Sequence, residues 1–443
     1  MALAALVLAK ISQESVDEVT AKLSDLVMQG DNERDQAVEG LAYTSLQPKI
    51  KEEIIGNTAL VSRLTSTLKE RPTTAFGALT VLSNLTAYVP AQSEEAKKMS
   101  QLKAYANSSK PAPDDPLDDE SHVTARCKKV LDQDVVPGLV TCCKQSTSPA
   151  NVALVVRILL ALAKDQKHRP KMAQQGAVRL LLQIIERTSK TDKSTSETSV
   201  IQKTASHALA RLLISVNPAL VFSSGLPSSS ATAALLPLLS TDSDSRERDL
   251  LPVFEALLAL TNLASMDDSS ARDLITNTAM GKLEDLLFSS NTLVQRASVE
   301  LVCNLMASPN GVAKFADGSG DAKRRMQILL ALTDVEDLAT RRAAGGALAM
   351  LTEWDLAMGA VLDVKDGKGV RAVLAMCADD NPEMNHRGMV CVNNLVNGPG
   401  DTGNRAVAAV KQEGGVEILT GAVKRSKNPE VINTGVGALK RLF

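Results

Sequence analysis

Aromatic side chains are nearly missing from this sequence: one Trp, three Tyr and six Phe make up 2% of its 443 residues. That scarcity argues against a β-sandwich, whose strands recruit aromatic and β-branched residues. A core must instead be built from the Leu, Val, Ile, Ala and Met that dominate a hydrophobic fraction of 44%. Charge of one sign is missing too, since 49 Lys and Arg face 51 Asp and Glu, a formal net charge of -2. No global cationic field draws the chain onto nucleic acid or acidic lipid, so neither kind of partner is expected.

The usual signatures of chemistry are absent as well. The six cysteines (Cys127, Cys142, Cys143, Cys303, Cys377 and Cys391) include no C-x-x-C pair, and scattered thiols of this kind fit a reduced, cytosolic protein. Four histidines (His122, His168, His207, His386) are too far apart to place two metal ligands on one helical face. His122 and His168 stand in polar contexts and are expected to be solvated. Gly398, Gly400 and Gly403 spell G-x-G-x-x-G, yet they follow a helical pattern and not a buried strand, so a helix-ending loop is the better reading. No P-loop is present. No metal or other cofactor is expected, and no nucleophile, base and orienter combine into an enzyme site. The longest apolar runs, such as 152–163, are interrupted by Arg157 and fall well short of the roughly 20 residues that cross a bilayer. The apolar stretch 1–9 lacks a basic flank and reads as the start of a helix.

What is present is a repeat. FGALTVLSNLTA from Phe76, FEALLALTNLAS from Phe254, ASVELVCNLMAS from Ala297 and RGMVCVNNLVNG from Arg387 share an Ala/Leu-rich pattern that ends in Asn-Leu. Weaker copies start at Val152, Ala205, Arg341 and Gly435. Aligned on the shared leucine, the anchors are Leu85, Leu162, Leu213, Leu263, Leu305, Leu351, Leu395 and Leu442, at intervals of 77, 51, 50, 42, 46, 44 and 47 residues. A period in the forties marks armadillo or HEAT repeats, whose helices bury their apolar faces only against their neighbours. The expected fold is all-α: an armadillo/HEAT-like right-handed superhelical solenoid of roughly eight to nine helical repeats.

The interval of 77 contains Pro90 to Ser121, a stretch rich in Pro, Ser, Asp and Lys that has little to bury; it reads as a mobile connection. Polar or Ser-rich insertions at Thr188 to Ser199 and Ser223 to Thr232 account for the two intervals near 50.

The asparagine before the anchor recurs as Asn84, Asn262, Asn304 and Asn394. An amide offers a donor and an acceptor, so a ladder of them would grip the backbone of an extended peptide. The alternative is that each Asn bonds a neighbouring loop and merely ends its helix. Arg296, Glu300 and Arg387 share a face with Asn304 and Asn394 by helical spacing and join them either as groove residues or as a solvated surface. The ladder predicts that Asn304→Ala with Asn394→Ala leaves melting intact and weakens peptide binding. Trp354 ends its helix and is weighed as a packing anchor ahead of an exposed recognition residue.

These blocks in this order resemble the UCS family of myosin-directed chaperones, its fungal branch in particular. DQAVEGLAYTSLQPKIKE (Asp35 to Glu52) looks like that family's central-domain repeat, and LSNLTAYVPAQSEEAKK (Leu82 to Lys98) looks like the neck. The later Asn-Leu segments, with RRAAGGALAMLTE, look like successive UCS repeats. The resemblance implies residues 1–89 as the C-terminal part of a central armadillo domain, 90–121 as a polar neck loop and 122–443 as the UCS domain. It implies a cytoplasmic, ATP-independent chaperone that binds the myosin motor domain and supports actin-based movement. Groove positions carried over by the resemblance are Asn262, Asn304, Arg387 and Asn394. Animal members begin with tetratricopeptide repeats that dock a heat-shock chaperone. No repeat of about 34 residues is visible here, so cooperation with that partner is expected to be indirect. Family members also carry more central-domain helices before the Asp35 block, so the chain is expected to open partway into that domain. The other reading on the same fold is an interaction scaffold or transport adaptor for extended peptides. Import adaptors, however, repeat a Trp beside the Asn, and this sequence has the single Trp354 outside that register.

Overall fold

The computed structural model describes residues 16–29, 33–71, 75–90, 115–145, 148–190, 196–223, 225–240 and 249–443. Among the described residues all regular structure is helical, apart from an isolated bridge between Ser223 and Leu226. The chain divides into two compact units, Met1–Val221 and Phe222–Phe443.

In each unit the third helices of successive repeats lie side by side. In the first unit they are α1 (Arg34–Thr44), α2 (Phe76–Thr86), α3 (Pro149–Leu162) and α4 (Ser196–Ser215). In the second they are α5 (Leu251–Ala264), α6 (Thr292–Leu305), α7 (Leu338–Leu351), α8 (Pro382–Val396) and α9 (Pro429–Leu442). Within each unit, every third helix packs along the next. Two shorter helices precede most of them, for example Pro309–Ala316 and Gly320–Ala331 before α7.

The helices begin where the sequence offers caps. The Asn291 side chain accepts from the backbone N–H groups of Leu293 and Val294 at the start of α6, Asn381 does the same for α8, and Asn428 opens α9. Pro382 and Pro429 take first-turn positions, where a missing N–H costs nothing. In α6, Val294, Ala297, Ser298, Leu301, Val302 and Leu305 are buried, the three-and-four spacing of one helical face. The anchors Leu85, Leu162, Leu213, Leu263, Leu305, Leu351 and Leu395 are all fully buried. Third helices therefore carry the core, as the leucine register predicts. Some approaches are close enough to demand glycine: a Cβ on Gly388 in α8 would lie 2.5 Å from the backbone nitrogen of Cys377.

Several local expectations change. The serine-rich run after Ser223 is not a loop throughout, because Ser228–Leu235 is a helix that buries Ala231, Thr232, Ala234 and Leu235. Serine at this density reads as loop, but small side chains pack as readily as alanine once the Ser228 hydroxyl is bonded, here to Ser270 Oγ at 3.1 Å. The end of the 90–121 stretch is also ordered: Pro116–Asp118 forms a short 3-10 turn, and Asp118 bonds Lys51 and Arg126 at 2.8 Å. The remainder, 91–114, lies outside the described residues, as does the helix expected over 1–9. His168 is buried, not solvated, with Nδ1 3.2 Å from the Leu162 carbonyl oxygen. Trp354 is 41% exposed at the N-cap of Asp355–Leu362 and is no packing anchor. Of the three glycines only Gly398 lies in the turn after α8; Gly400 and Gly403 belong to the first turn of the helix Gly400–Gln412, so the run starts a helix as well as ending one.

Candidate functional site

The third helices of the second unit present a half-buried stripe opposite their core face. On α6 it consists of Arg296, Glu300, Cys303 and Asn304; on α8 it includes Arg387, Val390, Asn393 and Asn394; on α5 it includes Leu258 and Asn262. Spacings of three and four residues place each set on one side of its helix. All six predicted residues thus lie on the same kind of stripe on α5, α6 and α8, while α7 runs between the last two.

The asparagines are committed to their neighbours through one atom. Asn304 Nδ2 donates to the Thr261 carbonyl of α5 at 3.0 Å, and Asn394 Nδ2 donates to the Ala349 carbonyl of α7 at 3.4 Å and to Thr352 Oγ1 at 3.3 Å. In the first unit Asn84 Nδ2 donates to the Ala42 carbonyl of α1 at 3.1 Å and to Ser45 Oγ at 3.0 Å. The separations of 42, 43 and 45 residues are the repeat itself, read as hydrogen bonds. Each amide adds a second donor to a carbonyl in the last turn of the preceding third helix: Thr261 also accepts from the Ser265 N–H, Ala42 from Ser45 Oγ and Ala349 from Thr352 Oγ1, each at 3.1 Å. Removing Asn304 and Asn394 would delete these bonds between repeats but leave each carbonyl its other donor.

Arg296 is also committed. Its Nε and Nη2 bond Asp337 Oδ2 and Oδ1 at 3.0 and 2.6 Å. Asp337 caps α7, accepting from the Thr340 N–H at 2.8 Å and from Thr340 Oγ1 at 2.7 Å. The Arg296 bonds hold the Asp337 carboxyl far below the ordinary carboxylate range. Arg387 donates to the Arg342 carbonyl oxygen and lies 3.8 Å from Glu383, which also pairs with Arg342. It crosses α7 over Gly346, where an added Cβ would sit 3.5 Å from the guanidinium carbon and 3.3 Å from Cys303 Sγ. The Ala-Gly-Gly run of α7 is therefore a floor low enough for an arginine to lie across. Glu300 has no hydrogen bond or ion pair with any described residue, and burial raises its carboxyl pKa.

Sequence reasoning missed the buried arginines. Arg126 is 1% exposed, and its Nε donates to the Leu85 carbonyl at 2.9 Å. Its remaining nitrogens reach the Leu117 carbonyl at 2.6 Å, Glu52 at 2.7 Å and Asp118 at 2.8 Å. Arg169 bonds the Ala163 carbonyl and Arg272 the Ala264 carbonyl, both at 2.8 Å. In three repeats, then, an arginine from a following helix neutralises the C-terminal end of a third helix, where the macrodipole is negative. The available signal was an arginine shortly after an anchor leucine, at Arg169 and Arg272. A cavity of about 700 Å³ beside the start of α7, lined in part by Leu330, Arg341, Lys365 and Met376, contains none of the six predicted residues. Among the described residues no helix is long and apolar enough to cross a membrane.

No model of a protein family matches the chain. Ring assembly protein 3 of Schizosaccharomyces pombe is 33% identical over 366 residues, which cover 81% of this chain and 47% of that protein. Protein unc-45 homolog B of Danio rerio is 28% identical over 405 residues, 90% of this chain and 41% of that protein. The crystal structure of the myosin chaperone UNC-45 from C. elegans in complex with a Hsp90 peptide superposes with a TM-score of 0.78 at 21% identity, over 96% of this chain and 44% of that one. That likeness shows the fold, an armadillo-like helical solenoid. The chain spans less than half the length of these relatives. Over the length it shares with them, and with the repeat register and the Asn-Leu third helices in place, the chain belongs to the UCS family.

Proposed function

We propose that this chain is a myosin-directed chaperone or co-chaperone that holds the myosin motor domain on the open stripe of α5 to α9 and supports its folding, stability and actin-based function. The observation that carries the reading is the continuous row of third helices, whose half-buried polar stripe includes Asn262, Arg296, Glu300, Asn304, Arg387 and Asn394. Such a row suits an extended segment lying across the helices, its backbone met by amide groups at repeat spacing. Family membership supports the client, since UNC-45 is described as a myosin chaperone. The chain acts by binding and not by catalysis, works in the cytoplasm, and cooperates with a heat-shock chaperone. Residues 1–89 correspond to the end of a central domain, 90–121 to a neck and 122–443 to the UCS domain.

The test is protection of a purified myosin motor domain from heat aggregation, without nucleotide, beside an equally unstable unrelated client. Selective protection of the motor is the expected result. Equal protection of both would reduce the protein to a general holdase, and protection of neither would remove the chaperone reading.

A further inference from the structure

We propose that the client segment crosses α6 with a lysine or arginine side chain set against Glu300. The inference rests on the reading of this face as the client-binding surface and specifies what the surface selects.

Every arginine around Glu300 on this face already has a partner. Arg296 holds Asp337 through two bonds, Arg342 pairs with Glu383, and Arg387 donates to the Arg342 carbonyl beside the same Glu383. The Arg296–Asp337 pair is neutral as a unit, so it supplies Glu300 with little net positive charge: Arg296 favours the ionised carboxyl and Asp337 opposes it. Glu300 is half-buried, one helical turn from both Arg296 and Asn304, with no bonding partner among the described residues and no oxygen sealed from solvent. The amide ladder is biased the same way. Asn304 and Asn394 turn their N–H donors into the fold, and their amide oxygens carry no bond from described residues. Around Glu300 the face offers a partner the amide oxygens of Asn304 and Asn394 and a carboxylate with no ion pair among the described residues, while Asn393, whose oxygen is taken by Asn397 Nδ2 at 3.1 Å, turns its donors outward.

Such a surface discriminates. An acidic or purely apolar segment would leave Glu300 partly desolvated and unpaired, whereas a cationic side chain forms a charge-assisted bond with it at little added desolvation. Backbone N–H groups of an extended segment then satisfy the amide oxygens on either side.

The experiment uses the full chain, a purified myosin motor domain and an array of peptides tiling the motor sequence. The wild-type chain is expected to retain peptides rich in Lys or Arg. Glu300→Gln, which keeps shape and removes charge, is expected to weaken motor binding about tenfold with an unchanged circular-dichroism melt. Glu300→Lys is expected to shift array preference toward Asp and Glu. Unchanged affinity in Glu300→Gln, or an array preference that Glu300→Lys leaves as it was, would overturn the inference while the chaperone reading stands. Failure of the wild-type chain to bind the motor at all would sink both, and so separates the two failures.

Discussion

Arg126 in the first unit and Glu300 in the second are charges drawn out of water to different depths, and their surroundings treat them in opposite ways. Arg126 is 1% exposed and meets two carboxylates and two backbone carbonyls. Glu300 is half-buried and meets none among the described residues. A buried cation whose three nitrogens are all bonded belongs to the architecture, because breaking its bonds leaves a charge where water cannot reach. A half-buried anion left unmatched is tolerated only because some water remains, and that residual cost is what a partner can relieve. The contrast separates a residue that holds repeats together from one that, on the proposed reading, faces a client.

The sharpest way to break the comparison is at Arg126. Arg126→Met should lower stability by about 3–5 kcal/mol, since it takes the donor from the Leu85 and Leu117 carbonyls and the cation from Glu52, and leaves Asp118 with Lys51 alone; chemical denaturation measures the change. A loss below about 1 kcal/mol would place Arg126 with ordinary surface pairs. Gly388→Ala comes next, because its Cβ would meet the Cys377 backbone nitrogen at 2.5 Å. Forcing the helices apart should cost about 1–3 kcal/mol, visible as a lower melting temperature.

Asn304→Ala with Asn394→Ala should then lower stability by about 1 kcal/mol per site, read by denaturation, and weaken motor binding as well. Unchanged stability would mean that the inter-repeat bonds contribute nothing. Asp337 supplies a pH test. Its folded carboxyl titrates below the ordinary carboxylate range. Its contribution is therefore fully present above the unfolded pKa of about 3.9 and is lost as pH falls through the lower folded value. Asp337→Asn should flatten that part of the acid denaturation curve, and an unchanged curve would show that other carboxylates govern it.

The smallest effect belongs to Glu300, and its sign is opposite. Burial raises its folded pKa, so the ionised form is disfavoured in the fold and its penalty is present at neutral pH and relieved on acidification. Glu300→Gln should leave stability unchanged or slightly higher at neutral pH while binding falls. A clear loss of stability would move Glu300 to the architectural side.

Much of this was legible in the residues. The leucine anchors marked the third helices, and the period in the forties named the repeat class before any contact was known. The position of Asn304 and Asn394 on the stripe followed from spacing alone. Which amide atom points inward did not, because the carbonyl it meets lies 43 or 45 residues away on the preceding third helix. Arg126 was invisible for the same reason: its partners Glu52, Leu85 and Asp118 are brought together only by packing. The Ser228 helix was masked by composition, since a serine is loop-like until a neighbour accepts its hydroxyl.

By itself, then, the sequence determined the helices, their caps, the buried leucine face and the stacking of one repeat on the next, because those follow from periodicity and backbone geometry within a few turns. The tertiary structure alone decided which polar groups are engaged and which remain open. Hydrogen bonds and ion pairs act over a few ångströms, and only the stacked repeats bring together the atoms that bond Arg126 and Arg296 and leave Glu300 without a partner among the described residues.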